Sequence, residues 1–279
     1  SRFGGLAILT SFFITYFLFL FNNFTNLYID QTVLNTFLIS SFLFFVIGLL
    51  DDLFALSPIP RLIGQIIISI FSWSNGLKIF ADQLPIIGNF FIDIPFSETL
   101  SLILTIIWIV GITNAFNWLD GLDGLASGVS IISLTGFILL GFLINNSFIV
   151  LFSSIILGSN LGFLFHNFYP AKIYMGDSGS YFLGSIISLI AIYFCNNNIT
   201  KFNLIYPLII FSYPILDMTF VIFKRIIQSR SPFYPDTSHL HHRLLDFGFT
   251  HRKSVLSIYI INIFTLMIFF IIFKRFNLN

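Results

Sequence analysis

The protein has 279 residues, of which 57% are hydrophobic and only 9% are charged, and its formal net charge is +1. Because soluble domains average about 25% charged residues, this composition excludes a water-soluble globular domain and predicts helices embedded in a lipid bilayer. The small net charge gives no basis for nucleic-acid binding, and the single cysteine excludes an intrachain disulfide.

Long apolar runs with few charges recur along the chain. Runs of about 15 to 20 residues match the length at which a helix crosses a bilayer, and the alternation of a membrane barrel is missing. We therefore predict an all-α polytopic integral membrane protein that forms one transmembrane domain over 1–279. About nine spans are expected, at 5–21, 33–50, 61–74, 99–113, 125–144, 148–165, 180–195, 203–223 and 254–273.

Lys and Arg are divided unevenly between the two sides that these spans define. Nine basic residues fall on the side that carries Arg2 and the segments 51–60, 114–124, 166–179 and 224–253, and four fall on the other side. Because basic residues are enriched on the cytoplasmic side, the first side is predicted to be cytoplasmic. The clusters of acids and histidines, which do not enter this count, lie on the same side.

An acidic pair, Asp51-Asp52, ends the second predicted span. Adjacent carboxylates at a membrane boundary repel each other, so the pair is expected to supply a general base or to share a divalent cation. A solvated helix end is the alternative. Arg61 is able to bind a phosphate group with two hydrogen bonds, or to anchor the chain at the cytoplasmic surface.

Asn114, Asn117, Asp120 and Asp123 recur at a three-residue spacing between two apolar runs. At this spacing the four side chains line one stripe of a helix or an extended turn. Such a stripe is able to bind ribose hydroxyls, a base edge or a metal ion, and a polar loop with glycine turns is the alternative. The cost of placing acids beside lipid-facing helices favours a functional role.

Asp177 lies at the predicted start of the seventh span, in segment 175–180 (MGDSGS). A helix cap would explain Asp177 by itself. The segment also places backbone N–H groups beside a hard oxygen ligand, which suits a Mg²⁺–diphosphate unit. Since other acids are predicted on the same side, metal binding is favoured.

Three histidines, His239, His241 and His242, stand together in the polar segment 224–253 and precede Arg243. They predict zinc binding, phosphate binding or acid–base chemistry. The lack of a further ligand at fixed spacing disfavours zinc, and the flanking arginines favour phosphate, with a solvated basic loop as the alternative. Asp217 lies inside the eighth predicted span, where a buried carboxylate requires a partner or a function.

These segments together resemble the polyprenyl-phosphate N-acetylhexosamine-1-phosphate transferases of glycosyltransferase family 4. The resemblance covers essentially the whole chain through five ordered markers: Gly4-Gly5, Asp51-Asp52 with Arg61 and Gln65, 114–125, 175–184, and His239-x-His241-His242. It implies ten or eleven transmembrane helices around a cytoplasmic cleft, usually in a dimer. It also implies a further span on the N-terminal side of Gly4, outside the present sequence.

The resemblance implies a role for each marker. Asp177 is expected to be the primary Mg²⁺ ligand, with Mn²⁺ as a substitute. Asp51, with Asp52 beside it, is expected to activate or position the lipid phosphate, and the histidines are expected to take part in catalysis over the diphosphate and sugar. Substrate-binding roles are expected for Arg61, Asn114, Asn117, Asp120, Asp123, Asn167 (uridine) and Arg243.

The implied reaction transfers an N-acetylhexosamine 1-phosphate from a UDP-sugar to polyprenyl (undecaprenyl) phosphate and releases UMP. It would be the first membrane step of a cell-envelope polysaccharide such as lipopolysaccharide O-antigen, at the cytoplasmic face of the inner (plasma) membrane. The His-Leu-His-His pattern followed by Arg243 resembles the UDP-N-acetylglucosamine branch more than the phospho-N-acetylmuramoyl-pentapeptide transferases, which usually carry three consecutive histidines.

Two other classes of protein remain as alternatives. An ion or metabolite transporter would use the acids as a transport path, but transporters usually place ionisable residues near the bilayer midplane and contain inverted repeats. Neither feature is evident in the sequence. A lipid-phosphate phosphatase would hydrolyse its substrate without any dependence on a nucleotide.

Overall fold

A computed structural model of the protein describes residues 3–21, 30–84, 97–197, 203–231 and 238–277, and every regular element among them is helical. The all-α prediction is therefore confirmed. The helices are α1 (Gly4–Phe21), α2 (Gln31–Phe54), α3 (Pro58–Ser74), α4 (Ser97–Leu119), α5 (Leu125–Leu143), α6 (Ser147–Asn167), α7 (Gly176–Asn197), α8 (Ile205–Ile210), α9 (Ser212–Ile227), α10 (Leu240–Asp246) and α11 (His251–Asn277), with a 3₁₀ turn at Ala81–Gln83.

Seven helices in the described part of the chain are long and apolar enough to cross a membrane: α1, α2, α4, α5, α6, α7 and α11. They match seven of the predicted spans, which confirms a polytopic membrane protein. The predicted span 61–74 is α3, a helix of 17 residues that begins earlier, at Pro58. The predicted span 203–223 is divided between α8 and α9 and is not one continuous helix.

Proline explains why α8 and α9 are separate. Phe211 lies between them, with φ −94° and ψ 17°. Pro214 has no N–H to donate to the carbonyl of Ile210, four residues earlier, and its ring crowds the same position. The chain resumes the helical pattern at once, because the Ile215 N–H donates to the Phe211 carbonyl at 2.9 Å.

α7 is the central helix of the bundle. It packs against α1, α2, α4, α5 and α6, and 94% of its membrane-length window is buried. A Cβ on Gly48 of α2 would overlap the carbonyl oxygen of Asp177, and a Cβ on Gly5 of α1 would overlap the backbone nitrogen of Gly179. Because membrane helices associate closely where small residues let their backbones approach, these glycines bring α1 and α2 against the first turn of α7.

The bundle has two ends that differ in their contacts. At one end, Asp52 contacts the start of α7, and Asp123 contacts Ala171. At the other end, Gln83 donates to the Cys195 carbonyl, in the last turns of α7. The first end, called the acidic end below, gathers described residues of the four segments predicted to share one side: 51–60, 114–124, 166–179 and 224–253.

Candidate active site

The N-terminus of α7 is the centre of the acidic end. Asp52, in the last turn of α2, accepts hydrogen bonds from the backbone N–H groups of Asp177 and Ser178, each at 2.9 Å and one to each carboxylate oxygen. These are N–H groups that a helix leaves free at its start, and the negative charge interacts favourably with the helix dipole. Asp52 therefore caps α7, and the Asp177 side chain is left for another use.

Asn117 orients the Asp177 side chain. It donates from Nδ2 to Asp177 Oδ1 at 2.5 Å and to Ser180 Oγ at 2.9 Å. This contact is possible because α4 continues to Leu119, beyond the span predicted to end at residue 113. Asn114 and Asn117 thus lie on the last turns of a helix. Asn114 donates to Gln65 of α3, and Asp120 and Asp123 follow in the turn after the helix.

Asp120 lies in the turn after α4, beside Asp177. Burial raises the pKa of the Asp120 carboxyl to about 8, and the charges of Asp177, Asp52 and Asp123 add to the increase, whereas a hydrogen bond from the Gly176 backbone opposes it. Carboxylates gathered in this way repel each other unless a proton or a cation neutralises them. The acidic end therefore has the excess of negative charge expected of a cation site.

The donor set at Asp177 and Asp120 fits a Mg²⁺ ion that a substrate helps to bind. Among the described residues, no three His, Cys, Asp or Glu side chains converge into a complete metal cage. Mg²⁺ usually keeps several waters and binds through one or two carboxylates together with substrate phosphates. The two neighbouring acids suit such an ion, whereas a closed zinc site at the histidines receives no support.

Asp51 and Arg61 connect the end of α2 to the start of α3. Arg61 Nη1 donates to Asp51 Oδ2, and Asp51 is buried. The charge of Asp51 is thus offset by an arginine, and its carboxyl also adjoins the Asp177 side chain. This ion pair favours a role for Asp51 in holding Arg61 in place over a role as an isolated base.

A cleft of about 620 Å³ lies between α3, α4, α9 and α10. Its polar lining includes Arg61, Gln65, Asn114, Asn117, Trp118, Arg225, His239, His241 and His242. Its apolar lining includes Pro58, Leu62, Ile66, Ile106, Ile107, Val110, Met218 and Ile222. A cleft with both kinds of wall suits a ligand that joins a charged head to an apolar chain.

The three predicted histidines are together and border the cleft. The rings of His239 and His241 stack with centroids 5.4 Å apart, and those of His241 and His242 are 4.3 Å apart. His239 Nδ1 lies 2.7 Å from a carboxylate oxygen of Asp217. The buried carboxylate in the eighth predicted span therefore has its partner, and the partner is one of the histidines.

His241 is buried, which favours its neutral form. Burial lowers its pKa to about 3, and the neighbouring His242 and His239 add to the decrease. The ring lies against Gly121, where a Cβ would be 2.7 Å from Nε2, and neither ring nitrogen has a hydrogen-bond partner among the described residues. A neutral ring offers one donor and one acceptor, so His241 suits hydrogen bonding to a ligand better than it suits a fixed positive charge.

Asp123 and Asn167 connect the two polar loops of the acidic end and are outside the cleft lining. Asp123 Oδ2 accepts from the Ala171 N–H at 2.9 Å. Asn167 Oδ1 accepts from the Gly124 N–H at 3.0 Å, and its Nδ2 donates to the Ile173 carbonyl at 3.0 Å. Both residues brace the loops around Asp120 and Asp177, and their contact with a substrate stays a prediction.

Arg243 is also outside the cleft lining. It is exposed, lies 5.0 Å above the ring of Phe220 and borders a separate cavity between α9, α10 and α11. The structure therefore does not bring Arg243 to the cleft with the histidines. Arg225 of α9 borders the cleft instead, with its guanidinium 4.9 Å from the Trp118 ring.

Gln65 and Arg225 are cleft residues that the predicted site does not include. Gln65 is 1% exposed, and its Nε2 has no hydrogen-bond partner among the described residues. The sequence does offer an indication for Gln65, because it follows Arg61 by four residues. That spacing places both side chains on one face of α3. For Arg225, the sequence offers no indication of a site residue beyond its position in the basic segment after the eighth span.

The family model and the similar proteins point to the same family. The model of the family described as Glycosyl transferase family 4 matches residues 34–195. The chain is 38% identical over 231 residues to the probable undecaprenyl-phosphate N-acetylglucosaminyl 1-phosphate transferase of Bacillus subtilis, covering 83% of this chain and 63% of that protein. It is 34% identical over 235 residues to the decaprenyl-phosphate N-acetylglucosaminephosphotransferase of Mycobacterium leprae, covering 77% and 58% respectively.

A relative from the peptidoglycan branch matches less of the chain. The phospho-N-acetylmuramoyl-pentapeptide-transferase of Listeria monocytogenes is 34% identical over 160 residues, which is 54% of this chain and 48% of that protein. The chain therefore spans about three fifths of the length of the first two relatives and half of this one.

Proposed function

Because this chain belongs to glycosyl transferase family 4, we propose that it transfers N-acetylglucosamine 1-phosphate from UDP-N-acetylglucosamine to a polyprenyl phosphate. A phosphate oxygen of the lipid would attack the β-phosphorus of the nucleotide sugar, the bond to the α-phosphate oxygen would break, and UMP would leave. The observation that carries the proposal is the cleft itself, where apolar walls for a lipid chain meet the arginines, amides and histidines that suit a nucleotide sugar. Asn117 of this lining contacts Asp177, so the acidic end adjoins the cleft.

The acidic end would hold the diphosphate of the donor. A Mg²⁺ ion bound with Asp177 would offset the negative charge of the diphosphate and of the departing UMP. Asn117 keeps Asp177 in place, and Asp52 keeps α7 in place. Because Asp120 adjoins Asp177, it would share the ion, whose positive charge would oppose the burial and the neighbouring negative charges that together raise the pKa of Asp120.

The α3 side of the cleft would hold the acceptor. Arg61 is oriented by Asp51 and also contacts Tyr181, and the guanidinium has further N–H groups that a phosphate could accept from. A lipid phosphate is largely ionised at neutral pH because its second pKa is about 6, so deprotonation by a protein base is not required. The polyprenyl chain would lie along Leu62, Ile66 and Ile106.

We place the site on the cytoplasmic side of the plasma membrane. The excess of Lys and Arg on the segments of the acidic end supports this orientation, and UDP-sugars are soluble reactants of the cell interior. The product would start a cell-envelope polysaccharide. The smaller match to a phospho-N-acetylmuramoyl-pentapeptide-transferase, together with the His-Leu-His-His pattern, favours the N-acetylglucosamine donor.

An exchange assay tests the proposal. The protein, reconstituted in lipid nanodiscs with Mg²⁺, UDP-N-acetylglucosamine and undecaprenyl phosphate, is incubated with labelled UMP. Label is expected to appear in the UDP-sugar only when the lipid phosphate is present. A transporter would give no label in the UDP-sugar, and a phosphatase would release phosphate without UMP dependence. If UDP-N-acetylmuramoyl-pentapeptide is the better donor, the protein belongs to the peptidoglycan branch of the family.

A further inference from the structure

Asp217 is a buried carboxylate of α9, and both of its oxygens are directed at the start of α10. Oδ2 lies 2.7 Å from His239 Nδ1, and Oδ1 accepts from the Leu240 backbone N–H at 2.7 Å. Asp217 is 7% exposed and His239 is 6% exposed. Two short hydrogen bonds in a protected position connect α9 to the segment that carries the three histidines.

This contact determines which nitrogen of His239 carries hydrogen. A carboxylate only accepts hydrogen bonds, so the ring must present Nδ1–H to Asp217, and Nε2 is the nitrogen through which it can act on a ligand. The ring also packs against two aromatic neighbours. Trp118 packs edge-on at 5.7 Å between centroids, and His241 stacks at 5.4 Å with an interplanar angle of 12°.

We propose that Asp217 is a positioning residue that orients His239 and keeps its Nδ1 as the donor to the carboxylate, so that Nε2 of His239 is presented to the phosphate groups of the sugar nucleotide. The inference rests on the transfer function proposed above. With the carboxylate accepting at Nδ1 and a diphosphate oxygen accepting at Nε2, the ring donates one hydrogen bond on each side. It then stabilises the charge of the departing UMP without giving up its proton.

Asp217→Asn separates positioning from folding. The amide oxygen is still able to accept from the Leu240 N–H, but the amide NH₂ then faces Nδ1 and forces the hydrogen of His239 onto Nε2. The ring is neutral in this arrangement. We expect kcat for transfer to fall at least about tenfold, while KM for UDP-N-acetylglucosamine changes less than about threefold. Asp246→Asn, the same change at an exposed position of α10, is the control and should leave both values unchanged.

A double-mutant cycle tests the pairing. In a His239→Leu background, Asp217→Asn should cause little further loss of kcat, because the group that it positions is gone. Independent, multiplying losses of kcat would show that Asp217 supports the fold rather than His239. A kcat for Asp217→Asn within twofold of the wild-type value would overturn the proposal outright.

The same four proteins are also compared by thermal unfolding, which does not depend on the proposed reaction. Asp217→Asn should lower the unfolding temperature less in the His239→Leu background than in the wild-type background. Additive shifts would overturn the Asp217–His239 pairing. If the wild-type protein gives no exchange, the transfer function fails, and the unfolding cycle still decides whether Asp217 and His239 act together.

Discussion

The carboxylate of Asp52 accepts a hydrogen bond from the backbone N–H of Asp177, 125 residues later in the chain, with 2.9 Å between Oδ1 and the nitrogen. Asp52 therefore stabilises the N-terminus of α7, the helix that carries Asp177, another acid of the predicted site. The structure places Asp52 at the start of α7, and its predicted action beside Asp51 in catalysis stays a prediction. This contact places Asp177 where Asn117 and Asp120 face it.

Asp52→Asn is expected to destabilise the protein and to lower turnover together. An amide can accept only one of the two backbone N–H groups and turns its own N–H₂ toward the other, so the free energy of unfolding should fall by about 2 kcal/mol. The measurement is thermal unfolding in detergent beside the exchange assay. Asp246→Asn is the control, and unchanged stability of Asp52→Asn would contradict its role as the cap of α7.

Asp177→Asn is expected to abolish transfer while the protein stays folded. The amide keeps the size of the side chain and its contact with Asn117 but removes the charge that would bind Mg²⁺. Loss of about 4 kcal/mol of charge stabilisation corresponds to a decrease of about a thousandfold in turnover. Turnover measured at saturating Mg²⁺ checks this, and a near-normal rate would refute the metal assignment.

Asp120 is expected to make the stability of the metal-free protein depend on pH. Its pKa in the folded protein is about 8, above the usual value of 3.8, so the folded state prefers the protonated acid. This contribution is complete at low pH and is lost as the pH rises through about 8. With a chelator present, Asp120→Asn should therefore be more stable than wild type at pH 8.5, by a margin that shrinks toward pH 5.

Thermal unfolding at several pH values measures that margin. Saturating Mg²⁺ should reduce it at high pH, because the ion replaces the proton at the acidic end. Asp246→Asn, the same change at an exposed position of α10, is the matched control. An Asp120→Asn margin that is the same at every pH would show that the acid is not buried among other charges.

Gln65→Met is expected to weaken use of the lipid. Asn114 Nδ2 donates both to the Val110 carbonyl, which only accepts, and to the side chain of Gln65. Gln65 must therefore turn its oxygen toward Asn114 and its NH₂ toward the cleft. Since a hydrogen bond to a charged group contributes about 1.5 kcal/mol or more, KM for undecaprenyl phosphate should rise about tenfold.

Steady-state kinetics with each substrate varied in turn separates the two substrates. KM for UDP-N-acetylglucosamine should stay constant in Gln65→Met. Gln31→Met, at an exposed position at the start of α2, is the control. A rise in KM for the nucleotide sugar alone would place Gln65 in the donor site.

Gly48→Ala is expected to separate α2 from α7. The added methyl group would overlap the backbone of Asp177 and Ser178, which cannot move without displacing the site. We expect a loss of about 2 kcal/mol in stability and a larger loss in turnover, measured by unfolding and exchange. Gly158→Ala on α6 is the control, because a Cβ there meets no neighbour within 4 Å. Equal tolerance of both changes would contradict the close α2–α7 contact.

Composition and the lengths of the apolar runs were enough to predict an all-α membrane protein, because a bilayer admits only helices of a limited length when no barrel pattern is present. The ordered acids and histidines were enough to predict one site and a family. These features are local, so they can be recognised from residue types and spacing alone.

Only the tertiary structure decided which side chain faces which. Asp51 turns to Arg61, Asp52 turns to the start of α7, and Arg243 turns away from the cleft, although sequence spacing treats the first two as a pair and the third as a neighbour of the histidines. The pairing of Asp217 with His239 was likewise outside the reach of the sequence. Such choices depend on how helices that are distant along the chain pack around α7, and local residue patterns do not specify that packing.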